Sequence, residues 1–137
     1  MKRIKVKDTL TSGHSLTNDI VSHTASYLSE ATINIKLDDE LKKRGLNQKE
    51  LARMTGIRIG TISDFVNGKG TTFNKVQIVA IMVALRITEL SDLIEIQLPY
   101  DLVEQYDKES DNWKATKEMP NSVHEMYKEN VLKEAGL

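Results

Sequence analysis

The sequence has no cysteine, only two prolines and no long apolar run, and each absence excludes something. Without cysteine there are no disulfides, no thiol catalysis and no cysteine-bound zinc. Nothing is apolar for long enough to cross a membrane, and the basic start at residues 1–7 is followed by polar residues, unlike a signal peptide. We therefore expect a cytoplasmic protein of 137 residues without a membrane partner.

Residues suited to catalysis or metal binding are also scarce. The three histidines, His14, His23 and His124, are scattered without metal-ligand spacing and are expected on the surface. No glycine-rich loop precedes a helix, as a phosphate-binding loop must. The acidic run Asp38-Asp39-Glu40 is better explained as charge at the start of a helix. We expect no enzyme, no metal and no cofactor.

Charge is unevenly spread along a chain whose net charge is only −1. The net charge is +1 over residues 1–35, +3 over residues 36–70 and −5 over residues 71–137. Positive charge concentrated in one segment is the electrostatic pattern expected of a surface that meets nucleic acid. Segment differences of this size also occur in ordinary soluble proteins, so charge gives modest support.

The stretch 46–69 carries the strongest local signals. Asn47 followed three residues later by Glu50 is a capping box that starts a helix. Gly56 falls where the chain must turn sharply, and Gly68 falls where a second helix must stop. Two short helices joined by a tight turn are therefore expected.

Apolar spacing divides each of these helices into an inner and an outer face. Leu51, Ala52 and Met54 are expected to be buried in the first helix, and Ile57, Ile62 and either Phe65 or Val66 in the second. The face left exposed on the second helix carries Arg58, Gly60, Thr61, Asp64 and Asn67.

This pattern resembles the Cro and lambda-repressor type of helix-turn-helix, the Xre family. The matching residues are Gln48, Leu51-Ala52, Gly56-Ile57, Thr61-Ile62-Ser63 and Asn67-Gly68-Lys69. Leu37, Leu41 and Lys43-Arg44-Gly45 resemble the first helix of that family, and residues 76–85 and 90–94 resemble its fourth and fifth helices. The resemblance covers about residues 35–96. It implies a mainly α fold, a five-helix lambda-repressor-like domain that places helix 58–67 in the DNA major groove.

The resemblance also implies a function and a set of site residues. The function is that of a sequence-specific, double-stranded DNA-binding transcriptional regulator, a repressor of phage or mobile-element type, acting as a homodimer. Gln48 would touch a phosphate and brace the reading helix, and further phosphate contacts would come from Lys49, Arg58, Asn67 and Lys69. The base-facing positions are Ile59, Gly60, Thr61 and Asp64.

Three residues depart from the family pattern. Arg58 stands where a serine or threonine usually caps the reading helix, Gly60 offers no side chain, and Asp64 brings a negative charge toward the groove. Specificity would then come from Arg58, from flanking arms and from DNA shape. The alternative is a protein-interaction module, such as an antitoxin or anti-repressor, with a secondary or degenerate helix-turn-helix.

Alternating residues flank the helical stretch on both sides. Residues 33–37 and 94–98 both have the period of two that is typical of strands. We expect them to pair as a small two-stranded clasp around a domain spanning 33–98. Residues 1–7 alternate weakly and are expected to form a short strand or a basic arm.

Two extensions complete the chain. In residues 1–32 a helix is expected to place Leu16, Ile20, Val21, Leu28 and Ala31 on one face, with Thr17 or Asn18 as its cap. In residues 99–137 we expect a short helix from Pro99, a polar stretch containing Trp113, and a final amphipathic helix started by a Ser122–Glu125 capping box. Each extension either packs on the central domain or serves dimerisation or a regulatory protein partner.

Overall fold

The computed structural model describes residues 1–10, 16–70 and 74–136, with side chains left undescribed for residues 16–18. His14 lies outside the described residues. None of the described helices has the length and apolarity needed to span a bilayer. In chain order the elements are β1 (Lys2–Lys5), α1 (Val6–Thr9), α2 (Leu16–Ala25), a 3₁₀ turn (Ser26–Leu28), β2 (Thr32–Ile35), α3 (Leu37–Lys43), α4 (Gln48–Thr55), α5 (Ile59–Val66), α6 (Lys75–Leu85), a 3₁₀ turn (Leu90–Asp92), β3 (Ile94–Gln97), α7 (Tyr100–Thr116) and α8 (Asn121–Glu134).

The chain folds into two compact units. The first unit contains residues 1–4 and 32–97, and the second contains residues 5–31 and 98–137. The predominance of helix confirms the predicted mainly α fold.

The core of the first unit is a cluster of buried aliphatic side chains between α3, α4, α5 and α6. Helix α4 packs on both α5 and α6. Complete burial of an aliphatic side chain contributes about 1.5–3 kcal/mol, so this cluster is the main stabilising feature of the unit. Its members are Leu37, Leu41, Leu51, Ile57, Ile62, Val66, Ile81, Leu85, Ile87 and Leu93.

A three-stranded sheet in the order β1-β2-β3 closes the first unit. Strands β2 and β3 are antiparallel, with Ile33 opposite Ile96 and Ile35 opposite Ile94. This pairing confirms the predicted clasp. The sheet also contains β1, so the strand alternative for the start of the chain is correct and the clasp has one more strand than expected.

The stretch 90–94, which resembles a fifth helix, forms a single 3₁₀ turn. The amide of Leu93 donates to the carbonyl of Leu90 at 2.9 Å, and its own carbonyl accepts from the amide of Lys36 at 2.8 Å. From Ile94 onward the backbone pairs with β2. The helix therefore ends after one turn because its next residues are committed to the sheet.

Gly68 follows α5 and is required for two separate reasons. Its φ of 69° lies in the left-handed region, where a side chain is strained. A Cβ placed there would also overlap the side chain of Ile4 in β1 and press on Ile35 in β2. The glycine stop predicted for this helix is confirmed, and the sheet lies directly against it.

Polar contacts join the helices of the second unit. The side-chain amide of Asn130 in α8 donates to the hydroxyl of Thr24 in α2 at 2.9 Å. Glu129 lies 3.1 Å from the ring nitrogen of His23 and accepts from the hydroxyl of Tyr27 at 3.0 Å. These hydrogen bonds, from His23 first and then Tyr27, lower the pKa of Glu129.

The helix predicted in the N-terminal extension exists, but its predicted face is wrong. Helix α2 ends at Ala25, so Leu28 lies in the following 3₁₀ turn and Ala31 lies beyond it. Val21 is 61% exposed. The proposed caps, Thr17 and Asn18, have side chains outside the described part of the chain.

Two predictions in the C-terminal extension are corrected. The helix from Pro99 was expected to be short, but α7 runs for 17 residues and includes the polar stretch up to Thr116. The Ser122–Glu125 capping box is absent, because Pro120 occupies the N-cap position of α8. The hydroxyl of Ser122 donates to Glu109 of α7 at 2.8 Å instead.

Candidate nucleic-acid interface

Helices α4 and α5 have the local structure that the sequence predicts. The side chain of Asn47 accepts from the amide of Glu50 at 2.8 Å, and the carboxylate of Glu50 accepts from the amide of Asn47 at 3.1 Å. Gly56 turns the chain with a φ of 82°. Capping boxes of this kind stabilise a helix by about 1 kcal/mol, so both ends of α4 are determined locally.

Burial orients α5 relative to α4. Leu51 is fully buried and Ile62 is 1% exposed, which confirms both as core residues. Val66 is buried, whereas Phe65 is half-buried. Met54 is 50% exposed, so its predicted place in the buried face of α4 is wrong.

Helix α5 begins without a side-chain cap. Arg58 is its N-cap residue and makes no capping hydrogen bond through its side chain. The carbonyl of Arg58 accepts from the amides of Thr61 and Ile62. The first amides of any α-helix have no partner within the helix and carry partial positive charge, an arrangement that suits a phosphate group. The missing cap, noted from the sequence, leaves this helix end open.

The middle of the exposed face of α5 carries no long side chain. Ile59 is 51% exposed, and Thr61 and Asp64 are also exposed. A Cβ built on Gly60 would meet no atom within 4 Å. A large, flat partner can therefore approach the backbone of this helix closely.

The end of α5 is more constrained than its beginning. The side-chain amide of Asn67 donates to the carbonyl of Ser63 at 3.0 Å and to its hydroxyl oxygen at 3.3 Å. Lys69 is exposed, and its amide donates to the carbonyl of Asp64 at 2.8 Å. The Asn67 side chain is thus tied to the last turn of the helix, whereas the structure shows no hydrogen bond of the Lys69 side chain to a described residue.

Helix α6 contributes residues that the sequence patterns did not identify as part of the site. A hollow of about 320 Å³ brings Thr61, Asp64 and Lys69 together with Asn74 and Gln77. A second hollow places Gln77 beside Arg58 and Thr61. Asn74 caps α6 by accepting from the amides of Val76 and Gln77, at 2.9 and 3.1 Å. An Asn before an apolar helix could have signalled the cap, but the position of Gln77 follows only from tertiary packing.

Ion pairs compensate some of the basic residues of this unit. On α3, Lys42 pairs with Asp38, and both Lys43 and Arg44 pair with Glu40. The hydrogen bond from Lys43 is the main reason that the pKa of Glu40 is lowered. Lys36 pairs with Glu95 in the same way. These four cations, half of those counted in residues 36–70, are compensated.

A second group of cations belongs to α4, to the residues that flank α5 along the chain and to the start of α6. None of its cations forms an ion pair with another described residue. The group comprises Lys49, Arg53, Arg58, Lys69 and Lys75. Arg53 and Lys75 were not among the predicted site residues. Arg53 lies four residues after Lys49 on α4, so helical spacing alone could have indicated that they share a face.

Comparison with known proteins identifies this domain. Residues 36–98 match the family model of the Cro/C1-type helix-turn-helix DNA-binding domain, a match that covers just under half of the chain. Searches among curated proteins and among solved structures returned no match. The first unit is therefore built around a Cro/C1-type helix-turn-helix domain, in agreement with the resemblance noted from the sequence. The match supports a DNA-binding role for this domain.

Proposed function

We propose that this protein is a sequence-specific transcription regulator, a repressor of phage or mobile-element type, that reads double-stranded DNA with α5. The observation that carries the proposal is the exposed face of α5, which has the uncompensated cations Arg58 and Lys69 beside it in neighbouring hollows. A B-DNA major groove is wide enough to admit one helix, and it is bordered by two lines of phosphates. An exposed helix flanked by positive charge is complementary to that arrangement.

Affinity comes mainly from the phosphates. Lys49, Arg58 and Lys69 contact the backbone on either side of the groove, and Arg53 and Lys75 extend this set. Gln48, the first residue of α4, contacts a phosphate and braces α5. Each neutralised phosphate releases a counterion, so binding weakens steeply as salt rises. The amide group of Asn67 is engaged with Ser63, so we expect its contribution to be smaller than that of the cations.

Base reading falls to the middle of α5. Ile59 and the methyl group of Thr61 pack against thymine methyl groups, and Asp64 accepts a hydrogen bond from a cytosine amino group. Gly60 allows the helix backbone to approach the bases closely. Few side chains read bases directly, so DNA shape adds to specificity.

A single reading helix discriminates too few bases for regulation, so we propose that the protein works as a cytoplasmic homodimer. Two copies would read half-sites about one helical turn apart. The second unit is the proposed place for self-association or for a regulatory protein partner.

Selection of bound duplexes from a random DNA library, at low and high salt, tests the proposal. An enriched palindrome is expected, and its half-site spacing would give the geometry of the dimer. An enriched single site would reject the symmetric dimer and retain sequence-specific reading. No enrichment at either salt concentration would reject sequence-specific reading.

A second candidate function is that of a protein-interaction module such as an antitoxin or anti-repressor. The acidic balance of −5 over residues 71–137 favours it, because such a surface suits a basic partner. Weak DNA binding without sequence preference, together with salt-sensitive binding of a basic protein, would support this function instead.

A further inference from the structure

The second unit contains an apolar groove of about 990 Å³. Its walls come from α2 and the following 3₁₀ turn, from α7, and from the beginning of α8. The apolar and aromatic residues that line it include Tyr27, Leu102, Tyr106, Trp113, Val123 and Met126. Pockets for small organic ligands have volumes of about 300–1,000 Å³ and similarly apolar walls, so this groove is at the upper end of that class.

Two carboxylates, Asp107 and Glu109, lie in the wall of the groove. Glu109 is held in place from two sides. Gln105 donates to one of its oxygens at 2.8 Å, and the hydroxyl of Ser122 donates to the other at 2.8 Å. Both donors are neutral, so the negative charge of Glu109 is positioned without being compensated.

Positive charge is missing from this groove. Among the described residues that line it there is no lysine, arginine or histidine. Neither Asp107 nor Glu109 forms an ion pair with any described residue. Lys114 and Lys117 line a separate hollow of about 310 Å³ that shares only Ser110 and Trp113 with the groove. The groove is therefore apolar and negatively charged.

Aromatic rings strengthen the preference for a cation. Tyr27, in the 3₁₀ turn, is 46% exposed, and Trp113, in α7, is 37% exposed. Tyr106 also lines the groove from α7. The face of an aromatic ring attracts a cation, most strongly when the ring is that of tryptophan. An ammonium, sulfonium or phosphonium group with apolar substituents would meet both the rings and the carboxylates.

We propose that this groove binds a small lipophilic organic cation, with its apolar body against Leu102, Trp113 and Met126 and its charge beside Glu109 and Asp107. The charge of the wall determines the sign of the ligand, and the volume favours a small molecule over a peptide helix. This site lies wholly within the second unit, and it does not depend on the proposed reading of DNA by α5.

Tetraphenylphosphonium and tetraphenylborate test the proposal directly, because they have nearly the same shape and opposite charge. Trp113 is the single tryptophan of the chain, so its fluorescence reports on the groove in the full-length protein. We expect saturable quenching by the phosphonium, with an affinity at least about tenfold higher than that for the borate. Equal affinity, tighter binding of the borate, or no saturable response to the phosphonium would overturn the proposal.

A pair of variants locates the charge. Glu109→Gln keeps the size of the side chain and its ability to bond Gln105 and Ser122, and it is expected to weaken phosphonium binding by about tenfold. Glu104→Gln makes the same chemical change on α7 at an exposed residue outside the groove, and it is expected to have little effect. Equal effects of the two changes would overturn the assignment.

Folding of the Glu109→Gln variant is checked by circular dichroism. If that variant does not fold, Asp107→Asn takes its place, with an expected weakening of several-fold. Unchanged phosphonium binding in a folded variant of either carboxylate contradicts that residue's place in the site, and unchanged binding in both overturns the proposal. Saturable quenching by a basic amphipathic peptide, with none by the phosphonium, would also overturn it in favour of a peptide partner.

Discussion

The two units of this protein are stabilised in different ways. In the first unit, α3, α4, α5 and α6 each contribute side chains to one buried cluster. In the second unit, α7 and α8 contain no buried residue among those described, and Tyr100 of α7 is 83% exposed. Both units expose apolar side chains, for example Val76 and Val79 of α6 in the first and Tyr127 and Val131 of α8 in the second. The difference lies in the core, because α7 and α8 place no described residue in a fully buried cluster.

Polar contacts occur in both units. In the first they cap helices, as Asn47 and Glu50 do, compensate charges along α3, and join α3 to the end of α6 through Arg44. In the second they join one helix to another, as between Asn130 and Thr24 and between Ser122 and Glu109. Such contacts contribute about 0.5–1.5 kcal/mol each, so we expect the second unit to open more readily than the first.

The largest expected effect comes from removing buried volume in the first unit. Leu51→Ala should destabilise that unit by about 3–5 kcal/mol, because Leu51 is fully buried in α4. Leu132→Ala makes the same change at a residue of α8 that is 50% exposed, and it should cost less than about 1 kcal/mol. Hydrogen exchange of the amides in α4 and α8 measures each effect locally. Similar losses in the two variants would contradict the contrast between the units.

Two glycines after α5 separate steric overlap from backbone strain. Gly68→Ala should cost about 2–4 kcal/mol, because it combines a left-handed φ with overlap against Ile4. Gly70 has a φ of 87° but open space around it, so Gly70→Ala should cost only about 1 kcal/mol. Urea denaturation followed by circular dichroism measures both. Equal costs would mean that contact with β1 does not constrain this turn.

The smallest expected effect is a pH dependence in the second unit. The pKa of Glu129 is lowered by its hydrogen bonds to His23 and Tyr27, from an ordinary value near 4.5. Its contribution to stability is therefore present above that ordinary value and is lost as the pH falls through the lowered one. The urea midpoint of Trp113 fluorescence should differ between wild type and Glu129→Gln near about pH 7, and the difference should shrink as the pH falls below the ordinary value of a glutamate. A difference that persists in acid would assign the effect to packing.

Local signals predicted the first unit well. Some of its signals depend only on interactions within a few residues, as in the Asn47–Glu50 capping box and at the glycines 56 and 68. The alternation in residues 33–37 predicts a half-buried strand, because only a strand places every second residue on the same face. The prediction of the third strand was less definite, because β1 is short and mostly exposed. Its pairing depends on contacts with a distant part of the chain, which the sequence does not display.

Long-range contacts account for what the sequence did not predict. Ser122 had the spacing of a capping box, but Pro120 occupies the cap position and Glu109, 13 residues away, takes the hydroxyl. The net charge of residues 36–70 could be counted, whereas which cations are compensated depends partly on tertiary structure, as in the pair between Lys36 and Glu95. Gln77 belongs to the candidate site because α6 packs on α4 and lines the same hollows as α5, which no local pattern indicates.

The central claim is that the exposed face of α5 contacts DNA, and the salt dependence of binding to the library-selected duplex tests it most directly. Arg58→Ala should weaken binding by about 1–3 kcal/mol if Arg58 touches a base, or lower the salt slope by about one if it touches a phosphate. Lys42→Ala removes the same charge from a residue of α3 that is paired with Asp38, and it should change neither quantity appreciably. If Arg58→Ala left both affinity and slope unchanged, α5 would not bind DNA as proposed.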